Sequence, residues 1–431
     1  MTSSDLRGAV KGRVLERGDD GFDATRKPWN LAIEQPVAAV VEAEDADDVA
    51  ALVRYARRSG LTVTAQANGH DASGDVEGVI LLRTNRLDGV RLHERERLAQ
   101  VGAGANWGQV LAKTGPANLT GLAGSSPVVN VAGYTLGGGL SWFGRRYGWA
   151  ADSVRALDIV DADGDRTRVS DTSDPELFWG LRGGGGDFAL VTSLEFDLHP
   201  APSVYGGRVI WPGARSGEVF EVFRKITDEA PPELTVWFNR FGFPGAPPMA
   251  GLDLTYLGDP REGAALVRRI DTIDGVISDN RGVVAVADLG AITGEPTSPT
   301  PAATRAELLT DLHETLATEP IDPLISIQVR HLGGALAEPG SGAAGALAEP
   351  YLLQMIGLGA DPEIAHAARG RQVQIVEQLG AVASGRKPYT LLAPEETAAD
   401  AFPESALTRL RELKRSRDPH GVFRANHSVL T

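Results

Sequence analysis

Leu61-Thr62-Val63-Thr64-Ala65-Gln66-Ala67-Asn68-Gly69-His70-Asp71-Ala72-Ser73-Gly74 is the stretch that decides the fold. Its first five residues alternate and carry β-branched side chains, which predicts a strand running directly into a loop. Such a loop exposes consecutive main-chain N–H groups that can form a concave cradle for a phosphate anion, and Gly69 allows a close approach that a side chain would block. The loop presents one imidazole, His70, either a nucleophile at the end of a strand or a polar loop residue. A second glycine cluster, Gly137-Gly138-Gly139, is either another close-approach loop or a glycine-rich turn.

Composition narrows the function classes. With 431 residues and 42% hydrophobic content, the chain is long enough for two separately cored domains and is not disordered. A net charge of −15 would repel a nucleic-acid backbone or an anionic leaflet. The expected partners are therefore small molecules, with no nucleic acid and no membrane, and the chain is expected to be a monomer or homodimer. Met1 to Lys11 has no apolar core followed by a small-residue cleavage site, so a cytoplasmic enzyme is the simplest expectation. The absence of cysteine removes disulfides, thiolate nucleophiles and sulfur-ligated metals. The histidines at 70, 93, 199, 313, 331, 366, 420 and 427 show no metal-ligand spacing, so no metal is expected.

A series of further motifs follows in a definite order. Arg26-Lys27-Pro28-Trp29-Asn30 precedes the Gly69-His70 loop, and Tyr134-Thr135-Leu136-Gly137-Gly138-Gly139-Leu140 comes after it. Arg146-Tyr147-Gly148-Trp149-Ala150-Ala151-Asp152-Ser153-Val154 and Glu176-Leu177-Phe178-Trp179 are next. Arg182-Gly183-Gly184-Gly185-Gly186-Asp187-Phe188-Ala189-Leu190-Val191-Thr192 and Asp418-Pro419-His420-Gly421-Val422-Phe423-Arg424-Ala425-Asn426 complete the series. In this order they resemble the FAD-linked oxidases of the vanillyl-alcohol-oxidase superfamily, berberine-bridge-enzyme-like branch. The resemblance is dense from Arg26 to Pro200, thin in the middle, and recovers near the end. It implies an α+β, two-domain PCMH-type FAD-binding fold. Residues 1–200 would form the FAD-binding domain, 201–395 a substrate domain of antiparallel sheet backed by helices, and 396–431 a return segment completing the FAD domain.

The same resemblance implies the site. Gln66, Ala67, Asn68, Gly69, His70 and Asp71 would hold the cofactor, with His70 as the covalent attachment point of the flavin. Ser126, Val129, Gly133, Gly137, Gly138, Gly139, Asp152, Gly186, Val191 and Asn426 would line the rest. Three departures matter. Ser126 stands where many relatives carry a second, cysteine tether, so any link here is single. Asp187 replaces the usual asparagine, which puts a side-chain contact in doubt. Tyr389-Thr390-Leu391 lacks the asparagine of the Tyr-x-Asn motif common in relatives. Val129 occupies a position associated in the family with reactivity toward oxygen.

The residues themselves add an organisation. Asp45 to Ser59 has helical spacing with an acidic first turn, and Gly78 to Arg83 and Ala156 to Ala162 read as strands. Val101-Gly102-Ala103-Gly104-Ala105-Asn106-Trp107-Gly108 imitates a dinucleotide fingerprint, but its glycine spacing is one residue too long and no acidic residue follows from Gly121 to Val131. It reads as a strand-to-helix turn. Beyond Pro200, strands are expected at 204–211, 234–240, 251–256, 324–330 and 351–355, with helices at 217–230, 261–270, 302–316 and 362–379. Gly333 to Gly345 reads as a mobile loop and Thr293 to Pro301 as a connector.

Catalysis needs a base, or at least a hydrogen-bond acceptor, for the substrate proton. On Leu324 to Arg330, Ser326, Gln328 and Arg330 alternate with Ile325, Ile327 and Val329, giving a polar face that is either a substrate wall or a solvent-facing surface. No carboxylate stands out there, so Tyr389 is expected to take the proton, with Gln328 and Arg330 orienting. The expected activity is an FAD-dependent oxidase acting on a C–OH or C–N bond of a small organic molecule with oxygen as acceptor. A flavin-dependent oxidative cyclase or tailoring enzyme of bacterial secondary metabolism is the alternative, and a flavin-binding protein without turnover is the competing class.

Overall fold

Val63–Ala65 is a strand of the protein, short because its neighbours in the sheet are short. It pairs in parallel with Ile80–Arg83, which pairs in parallel with Ala39–Glu42, and Arg13–Glu16 closes this four-stranded sheet antiparallel. Val40, Val41, Leu81 and Leu82 are all buried, as parallel strands covered on both faces require. The crossover helix Ala46–Ser59 starts where the Asp45 carboxylate accepts the Asp48 N–H and stops at Gly60, whose φ of 64° suits glycine. The computed structural model describes residues 3–431.

A second, all-antiparallel sheet packs beside it in the order Val90–His93, Leu98–Gly102, Leu190–Asp197, Val154–Val160, Arg166–Ser170. The glycine run that imitates a dinucleotide fingerprint is the turn between Leu98–Gly102 and helix Trp107–Thr114, capped reciprocally by Asn106 and Gln109. A Cβ on Gly102 or Gly104 would meet the Leu87 or Thr84 carbonyl at 2.0 Å, so those glycines serve chain packing.

The chain then builds a separate eight-stranded antiparallel sheet, whose central order is Val204–Pro212, Met249–Leu257, Leu234–Phe241, Leu324–His331, Tyr351–Leu358, Ala302–Leu309. One face, carrying Val209, Val236, Phe238, Leu252, Leu254, Val329 and Leu353, is apolar and covered by helices Ser216–Glu229 and Pro362–Leu379. The other carries Trp237, Asn239, Asp253, Gln328, Arg330 and Gln354. One expectation fails here and another is adjusted. Residues 302–316 are not a helix: Ala302–Leu309 is a strand in register with Tyr351–Leu358, and only Thr315–Thr318 turns helically. Alanine, glutamate and leucine favour a helix locally, but pairing at a sheet edge overrides that preference. Residues 261–270 are likewise split into helix Pro260–Leu266 and a 3-10 turn, Arg268–Thr272.

The segment 333–345 is also not a free loop. The Arg182 guanidinium holds Ser341 through its carbonyl at 2.7 Å and its hydroxyl at 2.5 Å, and the Trp149 indole donates to the Gly345 carbonyl at 2.7 Å. Leu336, Ala343 and Leu347 are buried. The segment straps the second domain to the first.

After helix Glu404–Arg417 the chain returns to the first sheet, where the Val63 N–H donates to the Val422 carbonyl at 2.7 Å and the Arg424 N–H to the Val63 carbonyl at 3.0 Å. The buried Lys414 ammonium donates to Asp418 and to the Asp187 and Phe423 carbonyls, each at 2.8 Å. Among the described residues no helix is long and apolar enough to cross a membrane.

The two domains are riveted at Arg145. Its buried guanidinium donates to the carbonyls of Leu234 and Ala230 at 2.9 and 3.0 Å, to His331 Nε2 at 2.8 Å, and to the Leu332 carbonyl. Beside it Trp142 stacks on Trp237 with ring centres 3.7 Å apart. Because arginine is only a donor, His331 Nε2 accepts and the ring is neutral; burial, reinforced by Arg145, pushes its pKa down to about 3. Arg145→Leu leaves several buried acceptors unpaired. The expected outcome is a loss of about 3 kcal/mol or more of unfolding free energy, read from urea denaturation.

Candidate functional site

The His70 loop opens into a cavity of about 340 Å³. None of the main-chain amides from Ala67 to Asp71 donates to another protein group. The loop is held from behind: the Arg83 guanidinium donates to the carbonyls of Thr25, Lys27 and Ala67, while the Trp29 N–H donates to Asn68. From the far end of the chain, the Asn426 amide donates to the Asp71 carbonyl and its oxygen accepts the Ser73 N–H at 2.7 Å.

His70 lies flat on Trp29, ring centres 4.3 Å apart and planes 18° from parallel. Its Nε2 is buried without a hydrogen-bond partner, and burial pushes the imidazole pKa down to about 4. At neutral pH the ring is uncharged and its lone pair is available. The Gln66 side-chain oxygen, the Ser126 hydroxyl and His427 Nε2, all on the cavity wall, are also buried and unpartnered. Buried polar atoms seldom lack partners in folded proteins, so four on one wall mark a surface shaped for a bound group. His427 Nδ1 donates to the Glu396 carbonyl at 3.0 Å, which fixes its bare nitrogen as Nε2.

Of the residues expected to hold the cofactor, Gln66 to Asp71, Ser126, Val129, Gly133, Gly137, Gly186, Val191 and Asn426 line this cavity. Gly138, Gly139 and Asp152 do not. Gly138 and Gly139 have φ of 104° and 79°, and a Cβ on them would strike Trp149 at 2.9 Å or Tyr134 at 2.4 Å, so they pack the layer behind the wall. Asp152 accepts from the Trp149 and Ser341 N–H groups and pins the 333–345 strap. The Asp187 carboxylate faces away from the cavity. It accepts the Ala425 and Val429 N–H groups at 2.9 and 2.7 Å, which explains an aspartate at this position.

The expected catalytic group is corrected more sharply. Tyr389 lines the cavity, but its hydroxyl donates to the His427 carbonyl at 2.5 Å, and burial raises its pKa far above the ordinary phenol value. A hydroxyl fixed as a donor and held un-ionised is a latch, not a proton acceptor. Arg330 reaches the cavity, whereas Gln328 stands behind it with its amide oxygen accepting from Arg330 Nε at 2.6 Å; neither Gln328 nor Ser326 lines the cavity.

Sequence reasoning missed Glu295, Gln354, Tyr134 and His427. Glu295 arrives from the proline-rich connector, where no periodicity marks it, and with Asp71 it supplies the carboxylates that strand 324–331 lacks. The Asp71 carboxyl, open to the cavity but walled by protein, is pushed up to about 6. Loss of bulk water is the main cause, with Arg330 opposing and Glu295 adding.

Comparison with known proteins fits this geometry. Residues 37–170 match the FAD binding domain family. The chain carries an FAD binding domain. The FAD-dependent monooxygenase tpcD of Cochliobolus heterostrophus is 36% identical over 178 residues, 41% of this chain and 34% of that protein. (R)-6-hydroxynicotine oxidase of Paenarthrobacter nicotinovorans is 31% identical over 206 residues, 47% of this chain and 45% of that protein. The matched segments thus span less than half the length of either relative. The structure of BBE-like 1 from Physcomitrella patens superposes with a TM-score of 0.88 at 19% identity, covering 100% of this chain and 99% of that one. The fold of the whole chain is therefore that of this solved structure.

The wall suits FAD: the amides of 67–71 would receive a pyrophosphate, and the unpartnered polar atoms of Gln66, Ser126 and His427 would meet the remaining polar edges. Gly69 tests this fit. It has φ of 69°, and a Cβ would lie 2.8 Å from Gln66 Oε1 and 3.1 Å from Pro28. Gly69→Ala is expected to cost about 1–2 kcal/mol of local strain. The ratio of flavin to protein absorbance should fall while the far-ultraviolet circular dichroism is kept.

Proposed function

We propose that the protein is an FAD-dependent oxidase that oxidises a C–OH or C–N bond of a small organic molecule and passes the electrons to oxygen, with its flavin tethered once, through His70. The observation that carries this reading is the neutral, unpartnered Nε2 of His70, on a loop of free amides in the same cavity as Arg330. Bound FAD supplies a hydride acceptor. Trp29 holds the imidazole plane and, with the surrounding wall, keeps water from it. Ser126 offers no thiol for a second link, and Val129 on the cavity wall fits the family position associated with oxygen reactivity. The names of the relatives, an oxidase and a monooxygenase, support flavin and oxygen chemistry without fixing the substrate.

Asp71 takes the role first given to Tyr389. With a pKa of about 6 it is ionised at neutral pH and able to accept a proton.

The tether is tested by mass and by acid precipitation. The denatured chain should carry the added mass of FAD and stay yellow, and His70→Ala should release its flavin. A denatured chain of bare polypeptide mass removes the covalent claim while leaving bound FAD possible. Ser126→Cys in the His70→Ala background is expected to restore an acid-stable link if that wall meets the flavin ring.

The proton acceptor is tested by pH. Because Asp71 must be ionised to act, substrate-driven flavin reduction should be fast above pH 6 and lost as the pH falls through about 6. In Asp71→Asn the rate should drop by roughly a hundredfold or more and this inflection should vanish. Tyr389→Phe should keep it. Stopped-flow absorbance under anaerobic conditions reads all three.

A further inference from the structure

Arg330 is a charged group of the cavity wall without an ion-pair partner. Among the described residues no carboxylate lies within 4.0 Å of its guanidinium. Its Nε donates to Gln328 Oε1 at 2.6 Å and one terminal nitrogen to Gln354 Oε1 at 2.5 Å, while its plane rests over Trp237 at 4.2 Å from the ring centre. The second terminal nitrogen has no acceptor among the described residues. The other arginine of the same wall, Arg424, has Asp75 at 3.4 Å, and Arg208 on the same sheet face donates to both oxygens of Asp253.

The supports of Arg330 are themselves braced. Gln328 donates to Asn239 Oδ1 at 2.8 Å, and Asn239 donates to Asp253 at 3.1 Å. This chain of side chains crosses the sheet and fixes the guanidinium with one edge open to the cavity. Amide oxygens satisfy hydrogen bonds but bring no charge, so the cation stays uncompensated at close range. Asp71 and Glu295 face it across the cavity and lessen its field, yet neither touches it. Removing an arginine from water without a counter-charge costs several kcal/mol, which a bound anion offsets.

We propose, resting on the oxidase reading above, that the substrate presents an anionic oxygen, a carboxylate or the oxyanion of an acidic phenol or enol, to the open edge of Arg330. Gln328 and Gln354 are positioning residues that aim the guanidinium, and Trp237 is the flat support beneath it. The substrate is then a small acid whose oxidisable bond is held at a fixed distance from its charged end.

The test uses the flavin-loaded protein and four small probes: benzoate, pentafluorophenolate, benzamide and benzylamine. Binding is read as perturbation of the flavin absorption band. Benzoate or pentafluorophenolate is expected to bind at least tenfold tighter than benzamide, and whichever is tighter assigns carboxylate or oxyanion. Arg330→Gln should weaken that probe at least tenfold, leave benzamide within twofold, and keep the flavin content. Arg330→Lys should recover part of the loss. Equal binding of benzoate, pentafluorophenolate and benzamide, or preference for benzylamine, overturns the proposal. So does loss of flavin in Arg330→Gln, which would place the arginine on the cofactor. If Arg330→Gln fails to fold, the wild-type comparison of anions with benzamide still decides. A preparation that never holds flavin fails the oxidase reading instead, before any probe is added.

Discussion

A single ammonium group, Lys414 Nζ, holds the walls of the site together. It is buried among the Asp187 carbonyl, the Asp418 carboxylate and the Phe423 carbonyl, so it joins the glycine turn 183–187 to the last residues of the chain. Those residues in turn hold the His70 loop, through Asn426 on Asp71 and Ser73. With the Asp187 carboxylate, which accepts the Ala425 and Val429 N–H groups, this shared cation joins segments distant in sequence into one surface. Such a network is strong when every member is satisfied and costly when one is missing.

The His70 loop and the sheet face opposite it have contrary electrostatics. On the loop side, burial disfavours the charged forms: His70 is held uncharged, and the Asp71 carboxyl is pushed up to about 6, ionised at neutral pH but close to its midpoint. On the sheet side, Arg330 is braced by the amide oxygens of Gln328 and Gln354, and Arg208 is paired with Asp253, which accepts from the Asn239 amide. A nucleophilic nitrogen and a proton acceptor need the first kind of environment, and the recognition of charge needs the second.

How much of this was legible in the sequence depended on whether the signal was local. Helix Pro362–Leu379 has the bounds its sequence announces, because Asp361 caps it and Pro362 suits its first turn. Ala302–Leu309 was misread because its strand state is imposed by Tyr351–Leu358, far along the chain. The loop around His70 was legible through motif order, since its glycine and imidazole act through their own backbone. Tyr389 was not: half a motif suggested chemistry, but the group that sets its role is the carbonyl of His427. Glu295 carried no pattern at all, and only the path of the connector brings it to Arg330.

Trp29, stacked on His70, also belongs to the contact between the domains. The same few residues that press the indole onto His70 are tied to the second domain: Asn30 bonds both main-chain groups of Ala302, and the Trp29 carbonyl accepts the Thr300 N–H at 3.1 Å. A displacement of one domain from the other is therefore passed through Asn30 and Trp29 to the stacked indole and imidazole. The stacked rings are in effect a strain gauge for the domain interface, and a change in Trp29 fluorescence would register displacement there.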